Sequence, residues 1–238
     1  TKGVQGERGN SMKKKLCAMV LGILTAMSIT ACGTNSNEVQ DALKALYEQD
    51  FSYVETQKYG ESEWQWTGEM QASPYLEHRD MSEASQVMND IDYSGSGKMI
   101  TAKISDKKGK WVTQPLERPR FYGYGEDLTI LSSGETEDKK YTKYETQYTS
   151  SVKVGLGSAD KISYTVNQEY YLDKDTGNIV RIVTDTSDLT KASTIAGTMN
   201  TSGKTEEEVR KSLDWNDDDI YTDTVEITYG SVDIEIPE

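Results

Sequence analysis

Cysteine and histidine are almost missing from this chain. Among 238 residues there are two cysteines, Cys17 and Cys32, and one histidine, His78. A single histidine rules out multi-histidine metal centres. A Ser-His-Asp triad would need His78, and no G-x-S-x-G elbow supplies a serine for it. Phenylalanine (2) and proline (4) are also scarce, and positive charge is outweighed, with 26 Lys and Arg against 40 Asp and Glu. A net charge of −14 argues against a nucleic-acid partner and against electrostatic docking on anionic lipid. No apolar run reaches the ~20 residues that a membrane-spanning helix needs.

What is present begins at Met12. Lys13, Lys14 and Lys15 form a positive segment, and Leu16 to Ile29 follow as an apolar stretch of 14 residues. That length suits a signal peptide. It closes on Ile29-Thr30-Ala31-Cys32, which resembles the bacterial lipobox: an aliphatic residue, two small ones, then cysteine. The resemblance implies diacylglyceryl transfer to Cys32 and cleavage after Ala31. Residues 12–31 are thus expected to be a lipoprotein signal peptide, and 32–37 the lipidated cysteine with its tether. Residues 1–11 precede the Met12 start and are expected to be upstream or artefactual sequence. The expected location is outside the cytoplasm, held on the membrane through Cys32. A single acyl chain binds marginally, so two or more would be required.

Residues 38–238 are expected to form one β-rich extracytoplasmic domain. Cleavage after Ala31 leaves 207 residues with 21 basic and 39 acidic side chains, net −18. Cys17 leaves with the signal and Cys32 takes the lipid, so the mature domain has no disulfide and must be stabilised by packing. Leu, Ile, Val and Phe together number 36 of the 207, a composition that borders on disorder. Fifteen tyrosines and four tryptophans oppose that, because they bury large apolar area and favour strands.

Periodicity divides the chain. Val39, Leu43, Leu46 and Tyr47 recur at helical spacing and predict a helix over 38–50. From Phe51 the pattern alternates. Residues 62–70 place Trp64, Trp66 and Met70 on one strand face. Strands are also expected over 98–105, around Trp111, and over 127–131 and 141–154, with 106–109 as a turn and 132–140 as a polar loop. Residues 162–184 predict a hairpin turning at 173–178, with Gly177 at positive φ. Thr205-Glu206-Glu207-Glu208 is a capping-box pattern that turns Val209 and Leu213 inward. Residues 187–199 can hold another short helix. At the end, Val225, Ile227 and Tyr229 alternate, then Val232, Ile234 and Ile236 with shifted parity. A hairpin turning at Gly230-Ser231 explains the shift, with a bulge in one strand as the alternative.

The segments YYLDKDTGNIVRI (170–182) and VEITYGSVDIEIPE (225–238), set in this order of elements, resemble the LolA/LppX-like envelope lipoproteins. The resemblance implies a mainly β (α+β) fold, an open, curved antiparallel sheet wrapped around a few helices as a half-barrel, able to enclose a lipid-like ligand. No functional residue is carried over from it.

The remaining motifs are weak. Gly95-Ser96-Gly97-Lys98 lacks the first glycine and the final Ser or Thr of a P-loop and is expected to be a turn, and Gly155-Leu156-Gly157 a loop. Asp214, Asn216 and Asp218 have calcium-loop spacing, but Asp219 replaces the required glycine, so a solvated acidic loop is expected. With 39 acids, some carboxylate pair always exists, and none stands out. No enzyme activity, metal or cofactor is expected. Trp64, Trp66 and Trp111 are the candidate ligand-lining residues, against the plainer reading that Trp64 and Trp66 are core. Two functions remain: a membrane-anchored carrier or binder of an apolar, lipid-like molecule, or a surface module with a filled core that contacts another envelope protein or polymer. A large apolar cavity would favour the first, and an exposed aromatic patch the second.

Overall fold

A computed structural model describes residues 37–73, 76–80, 90–95, 98–103, 111–115, 121, 123, 125–155, 157–215 and 220–235. Cys32, the leader, the 106–109 turn and residues 216–219 of the acidic loop lie outside the described residues. Helix α1 (Asn37–Leu46) opens the domain. Its Val39, Ala42, Leu43 and Leu46 fall on one stripe and are buried. Strands β1 (Phe51–Tyr59), β2 (Ser62–Gln71), β3 (Leu76–Asp80), β4 (Asp90–Gly95), β5 (Lys98–Lys103) and β6 (Trp111–Pro115) follow as a meander. A second meander runs through β7 (Thr129–Glu135), β8 (Tyr141–Lys153), β9 (Lys161–Asp173) and β10 (Ile179–Asp185). Helices α2 (Ser187–Ser202) and α3 (Glu206–Ser212) then precede β11 (Tyr221–Tyr229).

All strands join one antiparallel sheet in the order β6-β5-β4-β3-β2-β1-β11-β10-β9-β8-β7. The first and last strands of the domain therefore meet at its centre, while β6 and β7 form its two edges. Ten spacings of about 4.8 Å would set the edges of a flat sheet about 48 Å apart. Residues 116–128 connect them, and even fully extended they would barely reach that far. Its described part is not extended: it bends at Gly123, whose carbonyl accepts from the Glu126 N–H. It also dips onto the sheet, where Phe121 packs on Phe51 and Tyr53. The sheet must curl to bring its edges within reach, so it is open but curved, as expected.

The helices lie on one face, here the inner face. Beneath α1, Phe51, Tyr53, Met70, Ile227, Tyr170 and Leu172 form the main core with Phe121 and Leu128 from the crossing segment. Beneath α2 and α3, Ile162 packs with Ala192, Ile195, Ala196 and Val209 in a second core. Tyrosine does carry much of the packing: Tyr53 and Tyr170 are among the largest fully buried side chains. Gly68 exists for one of them. A Cβ there would stand 2.1 Å from the Tyr53 ring, so the ring occupies the space a side chain would need.

The 173–178 hairpin forms as expected, with Gly177 at φ 73°. The capping box at Thr205 and Glu208 forms, and Val209 is fully buried. Gly95 pairs with Lys98, and Ser96 and Gly97 between them lie outside the described residues. Other expectations are corrected. The strand expected over 127–131 runs on through Glu135, past an irregularity between Ile130 and Ser132, so the polar loop is shorter than 132–140. The helix over 38–50 stops at Leu46. No hairpin forms at Gly230-Ser231. Strand β11 already pairs with β1 on one side and β10 on the other, so neither edge is left for a returning strand. The chain leaves the sheet instead. Ile234 is buried and its N–H is accepted by Gln71 Oε1, 3.1 Å away.

Candidate functional site

A polar row crosses the apolar inner face, and the strand register shows how. Trp64 on β2 stands opposite Gln57 on β1, and Gln57 opposite Asp223 on β11. Asp223 pairs with Thr184 on β10, Thr184 with Gln168 on β9, and Gln168 with Thr146 on β8. Alternation puts this whole row on the face that the cores occupy. Asp223, Thr184, Gln168 and Thr146 are buried. One step along the strands, Glu55 stands opposite Trp66 and is buried as well.

Buried polar groups are tolerated when they satisfy one another. Gln168 Nε2 donates to Thr184 Oγ1 at 3.0 Å, and Tyr170 Oη donates to Gln168 Oε1 at 2.8 Å. Trp66 Nε1 donates to Glu55 Oε2 at 2.7 Å. The Arg79 guanidinium lies 4.4 Å from the Trp66 ring centroid and 3.7 Å from Glu55 Oε2. Tyr53 Oη donates to Glu77 Oε1 at 3.2 Å. Asp223 hydrogen-bonds with Glu55 and Gln57. Its Oδ1, however, is buried without a hydrogen-bond partner among the described residues. Burial and the neighbouring Glu55 carboxylate push the Asp223 carboxyl well above the usual aspartate range, and Gln57 and Arg79 offset this only in part.

These groups surround a recess of about 160 Å³ lined by Glu55, Gln57, Arg79, Thr184 and Asp223, with Phe121, Ile182 and Val225 as its apolar part. Gly123, in the crossing segment, has φ 89°, and a Cβ there would lie 2.2 Å from Tyr170 Oη. Only glycine lets the segment lie this close to the polar row. Toward the strand ends the row opens to solvent at an aromatic rim. Trp64 and Tyr59 are 39% and 44% exposed, and Tyr59 touches both Trp64 and Tyr221 edge-on. Two larger recesses, about 370 and 610 Å³, lie on the outer face around Glu226 and Thr228. No helix covers that face among the described residues, and it carries paired charges such as Arg181 with Glu226 and Lys143 with Glu169.

Trp64 and Trp66 share a strand but not an environment. Trp66 is core, saturated by Glu55 and Arg79. Trp64 is a rim residue. Trp111 stands in β6, four strands from β2 along the sheet. His78 is a half-buried strand residue on the outer face, its Nδ1 3.4 Å from Glu69 Oε2. The described residues hold no group of three potential metal ligands, and none of their helices is long and apolar enough to cross a membrane. The carboxyls of Glu55 and Asp223 escaped the sequence reading. Their signal was parity: each is a charged residue on the apolar side of an alternating strand.

No protein-family model and no curated protein matches the chain by sequence. Solved structures do resemble it. An uncharacterised conserved protein from Thermus thermophilus aligns over 82% of this chain and 89% of its own, at 9% identity and a TM-score of 0.44. A DUF1329 family protein from Desulfovibrio piger aligns over 81% and 89%, at 10% identity and 0.34. A LolA superfamily protein from Nitrosomonas europaea aligns over 79% and 90%, at 6% identity and 0.30. Likenesses this distant transfer neither residue roles nor ligands.

Proposed function

We propose that this chain is a non-enzymatic binding protein of the cell envelope, anchored to the membrane by lipid on Cys32, that holds an amphipathic, lipid-like molecule on the inner face of its sheet. The observation that carries the reading is a polar recess set in the otherwise apolar inner face. Helix α1 packs on one part of the inner face and α2–α3 on another, and no residue of either lines the polar recess. A wholly apolar occupant suits this site poorly, since the recess is lined by carboxyls, an amide and a hydroxyl. A polar head seated in the recess with an apolar portion along Trp64, Tyr59 and Tyr221 suits it better. The test has two parts. Cys32→Ala should abolish incorporation of a labelled fatty acid, and unchanged labelling would refute the anchor. Native mass spectrometry of the full chain should show co-purified lipid. A clean apo mass, with no tryptophan emission shift on titration with phospholipid or fatty acid, would refute the binding role.

The alternative is a surface module that contacts another envelope component. The filled apolar core beneath α1 favours it, because Phe121 and the helix already occupy the space that a large apolar ligand would take.

A further inference from the structure

The polar recess and the aromatic rim are successive steps on one face. Tyr59 lies two residues past Gln57 on β1, and Tyr221 two residues before Asp223 on β11, so the rim stands one side-chain step beyond the recess. Tyr59 and Tyr221 are opposite each other with ring centroids 4.0 Å apart, and Trp64 lies 6.1 Å from Tyr59. Of the four large apolar side chains exposed among the described residues, three stand at this end of the sheet: Tyr59, Trp64 and Ile220, the last adjoining Tyr221 in sequence. Exposed apolar side chains gathered in this way mark a contact surface.

The recess supplies the polar half. Asp223 is 4% exposed, lines the recess, and has Oδ1 without a hydrogen-bond partner among the described residues. Burial and Glu55 favour its protonated form. Oδ1 is then either a carbonyl oxygen that needs a donor or a hydroxyl that needs an acceptor. A hydroxyl group on a ligand answers both, because it donates and accepts. The lining beside it is equally two-sided. The Gln57 amide can do both, and Thr184 Oγ1 accepts from Gln168 Nε2 while keeping its own proton to donate. Phe121, Ile182 and Val225 add an apolar wall.

We propose that this site takes a neutral polyhydroxyl ring of the size of one sugar, with a hydroxyl on Asp223 Oδ1 and its C–H face turned to Trp64 and Tyr59. This rests on the binding-protein reading above and names the chemistry of the polar head. Water alone would meet Oδ1 but would leave the exposed rings uncovered. An aliphatic occupant would cover the rings but leave Oδ1 unmet. A sugar joins a hydroxyl edge to an apolar C–H face in one rigid ring. The spacing fits: one side-chain step along a strand is about 7 Å, the breadth of such a ring, so a single group touches recess and rim together. The volume fits as well. A water takes about 30 Å³, and a recess of about 160 Å³ has room for one small ring and not for a chain of them. The net charge of −14 disfavours an anionic head. The sugar can be free or the head of a glycolipid, and the contacts at Asp223 and Trp64 are the same.

The experiment is calorimetric titration of the full chain with short-chain glucosyl-, galactosyl- and mannosyl-diacylglycerol. Unsubstituted diacylglycerol and phosphatidylcholine, whose head has no hydrogen-bond donor, are the comparators, and the three methyl glycosides test the free sugar. At least one glycosyl lipid should bind at least tenfold more tightly than both comparators. Asp223→Ala should weaken it at least tenfold, and Trp64→Ala, at an exposed position, a few-fold. If Asp223→Ala does not fold, Trp64→Ala decides alone. A sugar preference that survives these variants overturns the proposal. If glycosyl lipids and comparators bind alike, the lipid-binding reading stands and the sugar proposal falls. If a methyl glycoside binds and no lipid does, the sugar proposal stands and the lipid-like occupant falls. No binding by any probe overturns both.

Discussion

Two bands of the same inner face, a few residues apart along the strands, are built on opposite terms. Beneath α1, Phe51, Tyr53 and Met70 pack against helix and crossing segment, with the Tyr53 ring filling the space over Gly68. From Glu55 and Gln57 onward, the same alternation delivers carboxyls, amides and hydroxyls to the same face. The first band gains stability from area removed from water. The second gains little, since each buried polar group must recover what it lost in leaving water. Stability and the proposed binding role are thus separated within one sheet: the tight band fixes the strands, and the polar band they carry is free for other use.

Breaking the apolar band should cost most. Leu43 is fully buried beneath the inner face's main core. Leu43→Ala should destabilise the domain by about 3 kcal/mol, seen as a lowered midpoint in urea with an unchanged slope. A loss below about 1 kcal/mol would mean that α1 is not part of the core. Gly68→Ala probes the same band by overpacking. The Tyr53 ring would have to leave its edge-on contact with Phe121, 5.4 Å between centroids, and its bond to Glu77. About 2 kcal/mol is expected, measured the same way; a neutral result would show that the ring is not held.

The polar band should reveal itself through pH. The Asp223 carboxyl titrates higher in the folded chain, toward about 8, than in the unfolded chain. The native state therefore binds the extra proton. Its contribution to stability is full below the unfolded value near 4 and is lost as pH rises toward about 8. Urea midpoints at several pH values should show this decline, and Asp223→Asn should flatten it, because the amide never ionises. An unchanged slope in the variant would assign the pH dependence elsewhere. The smallest effect belongs to neither band. Thr205→Ala removes the cap of α3, where Thr205 Oγ1 accepts the Glu208 N–H and the Glu208 carboxylate accepts the Thr205 N–H in return. About 1 kcal/mol is expected, readable as a shift in melting temperature; no shift would mean that the docking of Val209 alone holds the helix.

Local signals decided much of this protein in advance. The period-3.6 stripe of α1, the hairpin at Gly177, the capping box at Thr205 and the alternation of Trp64 and Trp66 are short-range features, set by backbone geometry and by neighbours in sequence, and each formed. The single histidine, which excludes multi-histidine metal centres, was equally plain. Strands β3 and β4 were not legible, because LEHRD and DIDYSG have little β-forming pattern and are held by the strands beside them. The failed hairpin at Gly230-Ser231 has the same origin. Its alternation was real, but whether a strand finds a partner depends on which edges are free, and β1 had already taken β11. The site follows this rule too. Glu55 and Asp223 are 168 positions apart, and only the closure of first strand on last makes two ordinary acids into one buried pair beside an aromatic rim. Long-range pairing, which no local pattern encodes, decided where the polar face would lie.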